Sequence, residues 1–331
     1  MRLAAAMFAA LLAMVGTTVP ANAARTTLRL TMQLPIKSVL GRSVVRFKDE
    51  VEKATAGGIE VQIFDSGQLF DERDVPTAVS GGAIEMGVVS LASYTSEVPA
   101  VEVFHIPFLF DSDAKLRAAV APNSPVRMPL DAAIARTGVR VLAWNAYGGT
   151  VLLTRGGPLR QPGDLKGRRV RIVTSLLGKW VEAVRGIPLN IAGSDQYFAY
   201  QRGTVEVGMT SPAQIKARKL WEVMDTITVA NVSAAEYIVV INTAAFAALS
   251  DAEQAIVQAA ARSAEVALRN DMTQIEKEAI EAGRLNNMKV HALDAAETLA
   301  FRKSAEGVRD AFLLGGGALG TQVYEAAVAL K

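Results

Sequence analysis

The chain has 331 residues, with 35 Lys and Arg against 33 Asp and Glu for a net charge of +2, 50% hydrophobic residues, 2 His and no Cys. That length exceeds what one core usually serves and the apolar content can fill two, so two lobes are expected and general disorder is excluded. The balanced charge lacks the one-sided basic field that nucleic-acid binding needs, and the absence of Cys with only two His leaves little for metal or nucleophile chemistry, so no cofactor, no metal site and no enzymatic activity are expected.

In chain order, Met1-Arg2, the uncharged run from Leu3 to Val15 and the small residues Ala21 and Ala23 have the three parts of a secretory signal. The apolar run is too short to span a bilayer, so residues 1–23 read as a cleaved signal peptide, and the mature protein as an exported, periplasmic one that does not itself span the membrane. A self-comparison then shows an internal repeat. Ala78-Val-Ser-Gly-Gly-Ala-Ile-Glu-Met-Gly-Val-Val-Ser90 aligns without gaps on Ala199-Tyr-Gln-Arg-Gly-Thr-Val-Glu-Val-Gly-Met-Thr-Ser211, with identities at Ala78/Ala199, Gly82/Gly203, Glu85/Glu206, Gly87/Gly208 and Ser90/Ser211. Strand patterns at Leu28–Gln33 and Ile59–Phe64 match Val170–Ser175 and Ile187–Ile191, so each half reads β-α-β-α-β. That order predicts an α/β fold of two similar lobes with parallel sheets.

Further strands are expected at Arg140–Trp144, Thr226–Ala230, Tyr237–Asn242 and Lys289–Leu293. Between the last two, Ser250-Asp-Ala-Glu253 is a capping box, and Ala252, Ile256, Ala260, Ala264, Leu268, Met272, Ile275 and Ala279 recur at helical spacing until Gly283. The helix this predicts is roughly 50 Å long, enough to touch both lobes, although a broken helix pair fits the same pattern. Gly315-Gly-Gly317-Ala-Leu-Gly320 satisfies the dinucleotide fingerprint but follows a helical stretch instead of a strand, and the sequence runs only eleven residues on, short of the acidic residue expected about twenty positions later, so it reads as a helix C-cap and turn. His105 reads as a packed loop histidine, and His291 as a partly exposed strand residue.

Ligands of open α/β sheets collect beyond the carboxyl ends of strands, where Gln33, Ser90, Thr174, Ser175, Thr210 and Ser211 fall. Such residues suit hydrogen bonding to a polar solute and serve equally well as helix N-caps. Arg171, in the apolar strand Val170-Arg-Ile172, has a fork that matches a carboxylate. On composition alone a structural ion pair is the preferred reading of it.

Several segments resemble the solute-binding subunit, DctP type, of tripartite ATP-independent periplasmic (TRAP) transporters: Phe64-x-x-Gly67-Gln68-Leu69, Gly82-Ala-Ile-Glu-Met-Gly87, Ile106-Pro-Phe-Leu-Phe110, Asp164-Leu-Lys-Gly167 with Val170-Arg171-Ile172, and Gln201-Arg-Gly-Thr-Val-Glu206. The resemblance implies lobes formed by residues 24–147 with 236–275 and 148–235 with 276–331, a cleft that closes over an organic acid, and delivery to the small and large subunits of a membrane permease. It places Arg171 at the family's carboxylate-binding position, reversing the composition-only preference, and Thr210 and Ser211 among polar cleft contacts. Many relatives carry a second Arg near Gly149-Thr150, where this chain has Trp144-Asn-Ala-Tyr-Gly-Gly-Thr150, so Tyr147 is expected to offer a ring face or hydroxyl instead. A ligand-sensing input to a membrane signalling partner is the second reading, and an exported enzyme on the same scaffold the weakest.

Overall fold

Local sequence dictates the first half directly. The computed structural model describes residues 25–330, so the expected signal segment lies outside the described residues. Strand β1 (Thr26–Met32) is followed by α1 (Val39–Ala54), β2 (Ile59–Phe64), α2 (Val75–Ser80) and β3 (Met86–Ser90). Ser38 starts α1 by accepting the Gly41 N–H at 3.0 Å. The helix then buries Leu40, Val44, Phe47 and Val51, spaced three or four apart so that they form one stripe against the sheet. Two 3-10 turns, Leu91–Tyr94 and Pro99–His105, lead to α3 (Asp113–Val120), α4 (Arg127–Ala135) and the long strand β4 (Val139–Gly149).

The second half repeats the plan. It runs through β5 (Val151–Thr154), β6 (Arg169–Ile172), α5 (Ser175–Ala183), β7 (Ile187–Asn190), α6 (Gln196–Gln201), β8 (Val207–Thr210), α7 (Pro212–Ala217) and β9 (Thr226–Val229). The chain returns through β10 (Ala234–Asn242) and closes with α8 (Thr243–Ala247), α9 (Asp251–Leu285), β11 (Lys289–Ala292), α10 (Ala295–Ser304) and α11 (Glu306–Ala329).

Two sheets result, in the orders β2-β1-β3-β10-β4 and β11-β9-β5-β8-β6-β7. The repeated units are parallel as expected: β1 pairs with β2 and β3, and β6 with β7 and β8. The sheets as wholes are mixed, which corrects the expectation of parallel sheets. Strands β4 and β5 carry the chain out of the first sheet, β9 and β10 bring it back, and β10 and β5 therefore run antiparallel to their neighbours β3 and β8. The two crossings are bonded to each other. Thr150 N–H donates to Ser233 O at 2.8 Å, and Val232 N–H to Thr150 O at 3.1 Å.

Three of the five identities of the repeat serve backbone geometry directly. Gly82 and Gly203 take left-handed φ of 74° and 66° in the turn from helix to strand, where a Cβ is strained. Glu85 accepts the Arg29 backbone N–H at 2.9 Å, and Glu206 the equivalent Arg169 N–H at 3.1 Å, each also paired with that residue's guanidinium. Gly87 and Gly208 let the preceding helix lie on the strand: a Cβ on Gly208 would fall on the Tyr200 hydroxyl, and one on Gly87 on Val75 Cγ1. Gly208→Ala should therefore force Tyr200 off its rotamer and cost about 1–3 kcal/mol, read as a lower urea midpoint at an unchanged slope.

Helix α9 is a single element, begun by the reciprocal Ser250/Glu253 capping box. It packs on α1 and β4 in one direction and on α7 and β11 in the other, so it touches both sheets' layers. Its buried face differs from the expected stripe at the start: Ala252 is exposed and Ile256 half-buried, while Val257 and Ala261 are buried. The glycine run at residues 315–317 breaks the last helix, as a C-cap and turn would. Gly317, with φ of 58° and ψ of −152°, leaves the helical conformation and divides α11 into two helical segments, the second of which buries Gly320, Val323 and Ala327.

Candidate functional site

Because β1 and β3 are parallel to one another, as are β6 and β8, their carboxyl ends gather on one edge of each sheet. Between those edges lies a cleft of about 520 Å³, within the range of small-ligand sites. Six of the seven residues expected to contact a ligand line it: Ser90 at the end of β3, Tyr147 on β4, Arg171 on β6, Thr174 before α5, and Thr210 and Ser211 after β8. The seventh, Gln33, is not among the lining residues. Gln33 stands behind the lining, where its amide donates to Tyr237 Oη at 3.0 Å and its oxygen accepts from Arg218 Nη2 at 3.0 Å. It is a bridge from the first sheet to α7 and supports the wall instead of forming it.

The hydroxyls are less available than their position suggests. Ser90 accepts the Ala92 N–H at 3.3 Å, Thr174 the Leu177 N–H at 3.4 Å, and Ser211 the Ala213 N–H at 3.2 Å, each serving as an N-cap. Ser211 also donates to the Tyr147 carbonyl. These three residues line the cleft and at the same time hold helix starts in place.

Arg171 is held differently. Its Nε donates to the Ile191 carbonyl at 2.9 Å and its Nη1 to the Met209 carbonyl, at the ends of the two strands flanking β6. Among the described residues it makes no ion pair, and Nη2 has no acceptor. The guanidinium is 5% exposed, and its hydrogen bonds among the described residues go to backbone carbonyls, which orient it without supplying an opposite charge in contact.

Sequence reasoning missed other parts of the lining. Glu72 sits in the loop before α2, within Asp71-Glu-Arg-Asp74, and alone of those four is buried. Its Oε1 accepts the Ser90 N–H at 3.2 Å. Burial pushes its carboxyl above the ordinary range, opposed by that N–H and by the positive charge of Arg171. Tyr237 of β10 meets Tyr147 edge to face, with ring centroids 4.8 Å apart, and burial raises both phenols. The hydroxyl of Tyr147, Oγ1 of Thr95 and Nδ1 of His105 are buried cleft atoms without a hydrogen-bond partner among the described residues. Such atoms are costly unless a further group satisfies them.

His105, at the end of the Pro99–His105 turn, is pushed down to about 4 by burial. Because the folded state then binds its proton more weakly than the unfolded chain, its contribution is complete above the ordinary value of 6.5 and is lost as pH falls towards 4. Urea midpoints should drop through that window by the equivalent of up to about 3 kcal/mol, and His105→Gln should remove that part of the pH dependence.

Among the described residues, no group of three or more His, Cys, Asp or Glu could hold a metal ion, and no helix is long and apolar enough to cross a membrane.

Residues 30–313 match the DctP family, described as bacterial extracellular solute-binding protein, family 7. The C4-dicarboxylate-binding periplasmic protein DctP of Rhodobacter capsulatus is 27% identical over 297 residues, covering 88% of each chain. A solved extracytoplasmic solute receptor from Bordetella pertussis superposes with a TM-score of 0.86 at 22% identity, over 91% of this chain and 99% of that one. A TRAP periplasmic solute binding protein from Ralstonia eutropha H16 does so with a TM-score of 0.82 at 25% identity, over 91% and 98%. With two α/β lobes around a polar cleft, a long helix touching both and a match across most of its length, the chain belongs to the DctP family of TRAP periplasmic solute-binding proteins, which bind solutes and are not enzymes.

Proposed function

We propose that this protein captures a small organic acid by its carboxylate on Arg171 and hands it, lobes closed, to the small and large membrane subunits of a TRAP permease. The observation that carries this reading is the buried Arg171 guanidinium, anchored by two backbone carbonyls and free of any carboxylate partner among the described residues. The relatives support the chemical class. The Rhodobacter protein is named for C4-dicarboxylates, the Bordetella receptor for pyroglutamic acid, and the Ralstonia protein holds (S)-2-acetolactate. Polar groups of Ser90, Thr174, Thr210, Ser211 and Tyr147 complete the contacts in this proposal, and the moving parts are residues 24–147 with 236–275 against 148–235 with 276–331.

The lobes turn about the bonded crossings at Thr150 and Val232–Ser233, and only contacts made from both walls at once favour the closed state. Mass spectrometry of small molecules released from protein purified out of a periplasmic extract identifies the acid. Small-angle scattering with and without that acid should then show a more compact particle at saturation. Release of no carboxylate, together with superimposable scattering profiles, would overturn the reading.

A further inference from the structure

The cleft has two charged walls, and only one of them suits a carboxylate. Arg171 comes from the second sheet. Facing it from the first sheet's side is Glu72, 9% exposed, with Tyr147 and Tyr237 beside it. Glu72 forms no ion pair among the described residues, and it is near enough to Arg171 to feel its charge without touching it. A buried carboxylate needs donors, because its lone pairs have left water. Ser90 N–H supplies one to Oε1. The Gln33 amide donates to Tyr237, and Gln33 and Tyr237 are also hydrogen-bonding neighbours that pull the Glu72 carboxyl down against its burial, while the Arg218 guanidinium is spent on Gln33 and Gln214. A carboxylate offers about four lone-pair sites, so acceptor capacity on Glu72 remains beside these donors, in a wall that also presents the hydroxyl of Tyr147, partnerless among the described residues.

We infer that Glu72 is a specificity-determining contact: the preferred solute is a monocarboxylic acid whose far end carries a hydrogen-bond donor, a hydroxyl, amide or ammonium group, that binds the Glu72 carboxylate while its own carboxylate lies on Arg171. This deepens the proposed carboxylate reading and rests on it. A dicarboxylate of the same length sets its second charge against Glu72 in a poorly hydrated cleft, and Arg73, the other arginine or lysine that lines the cleft among the described residues, is exposed. The same pair of contacts accounts for closure. A solute that satisfies only Arg171 engages one wall, whereas one that also donates to Glu72 ties both together.

The test uses calorimetric titration of the mature protein at pH 7.5 with straight-chain acids of four, five and six carbons, each ending in a methyl, a hydroxyl, an ammonium or a second carboxylate. At the best chain length the hydroxy or amino acid should bind at least about tenfold tighter than both the unsubstituted acid and the dicarboxylate. Glu72→Gln, nearly isosteric, should erase the preference for the ammonium end and bring the dicarboxylate to parity. Glu72→Asp should keep the order but move the optimum to a longer chain, and melting curves of both variants report that they are folded. Dicarboxylates as tight as the hydroxy acids in wild type, or ratios unchanged in Glu72→Gln, overturn the inference alone, provided binding still depends on Arg171. If no acid binds wild type, or Arg171→Ala binds as wild type does, the carboxylate reading itself falls and takes this one with it.

Discussion

Replacing Arg171 with alanine should weaken the binding of the carried acid by about 2–5 kcal/mol, roughly 30-fold to several thousand-fold in Kd. The size follows from the surroundings. The guanidinium is 5% exposed, and two of its nitrogens are committed to the Ile191 and Met209 carbonyls, so its remaining edge is oriented without further entropy loss when a carboxylate arrives. Truncation leaves a carboxylate desolvated against carbonyl oxygens that now repel it. Arg171→Lys should recover only part of the loss, because an ammonium keeps the charge but cannot hold both carbonyls and still present a fork. The variant's stability is a separate readout. Two hydrogen bonds linking β6 to the ends of its neighbours disappear in the alanine variant, so a fall in the melting temperature is expected alongside weaker binding. Calorimetry on the folded fraction separates the two effects, and wild-type affinity in folded Arg171→Ala would remove Arg171 from the site.

How far the site was legible can be argued residue by residue. The repeat was visible because it consists of residues with no local substitute: glycines at positive φ or under a helix, a Glu that closes the start of the neighbouring strand, and a Ser that caps the next helix. Those features locate the carboxyl ends of the strands, and with them six of the seven expected cleft residues. Arg171 was ambiguous on composition, because an arginine in an apolar strand looks the same whether it faces a carboxylate of the chain or of a solute. Glu72 was hidden by its neighbours, since four consecutive charged residues read as a solvated loop and only the fold turns one of them inward. Tyr237 was hidden in the opposite way, within a strand so apolar that its hydroxyl carried no signal. Gln33 follows β1, whose alternation gives the end of a strand but not which side of it meets the partner lobe, and it lies outside the cleft lining. The antiparallel crossings escaped because β-α-β logic governs neighbours in sequence, whereas β4 and β10 pair over a separation of nearly a hundred residues. The helical periodicity of α9 was read from its apolar residues, and two charged residues on the same face went unnoticed.

Those two are Glu265 and Arg269, and truncating the first should produce the largest loss of stability in the chain. Glu265 is 1% exposed and accepts from Arg127 at 2.7 Å and 3.3 Å, from the Trp144 N–H at 3.1 Å, and from Arg262. Arg127 continues to Asp131, which accepts the Trp144 indole N–H at 2.7 Å. One turn further along α9, Arg269 holds Glu236 of β10 at 2.7 Å and 3.0 Å and the Trp144 carbonyl at 2.9 Å. The long helix is thus fastened to α4, β4 and β10 by charges, at the strand segments that go on to present Tyr147 and Tyr237 to the cleft. Assembling such a network gains little over apolar packing, because desolvating each ion offsets most of the attraction. Breaking it is another matter: Glu265→Ala strands the buried Arg127 guanidinium and the Trp144 N–H together, and about 3–5 kcal/mol should be lost, measured from urea unfolding. The asymmetry gives a second arm to the measurement. Replacing both partners, Arg127→Met with Glu265→Leu, removes the stranded charge and should regain much of what Glu265→Ala alone loses, so the double variant is expected to be more stable than the single one. If Glu265→Ala costs under about 1 kcal/mol, or the double variant is less stable than wild type by the full sum of the losses of Arg127→Met and Glu265→Leu taken singly, the network is not what fastens α9 to the strands under the cleft.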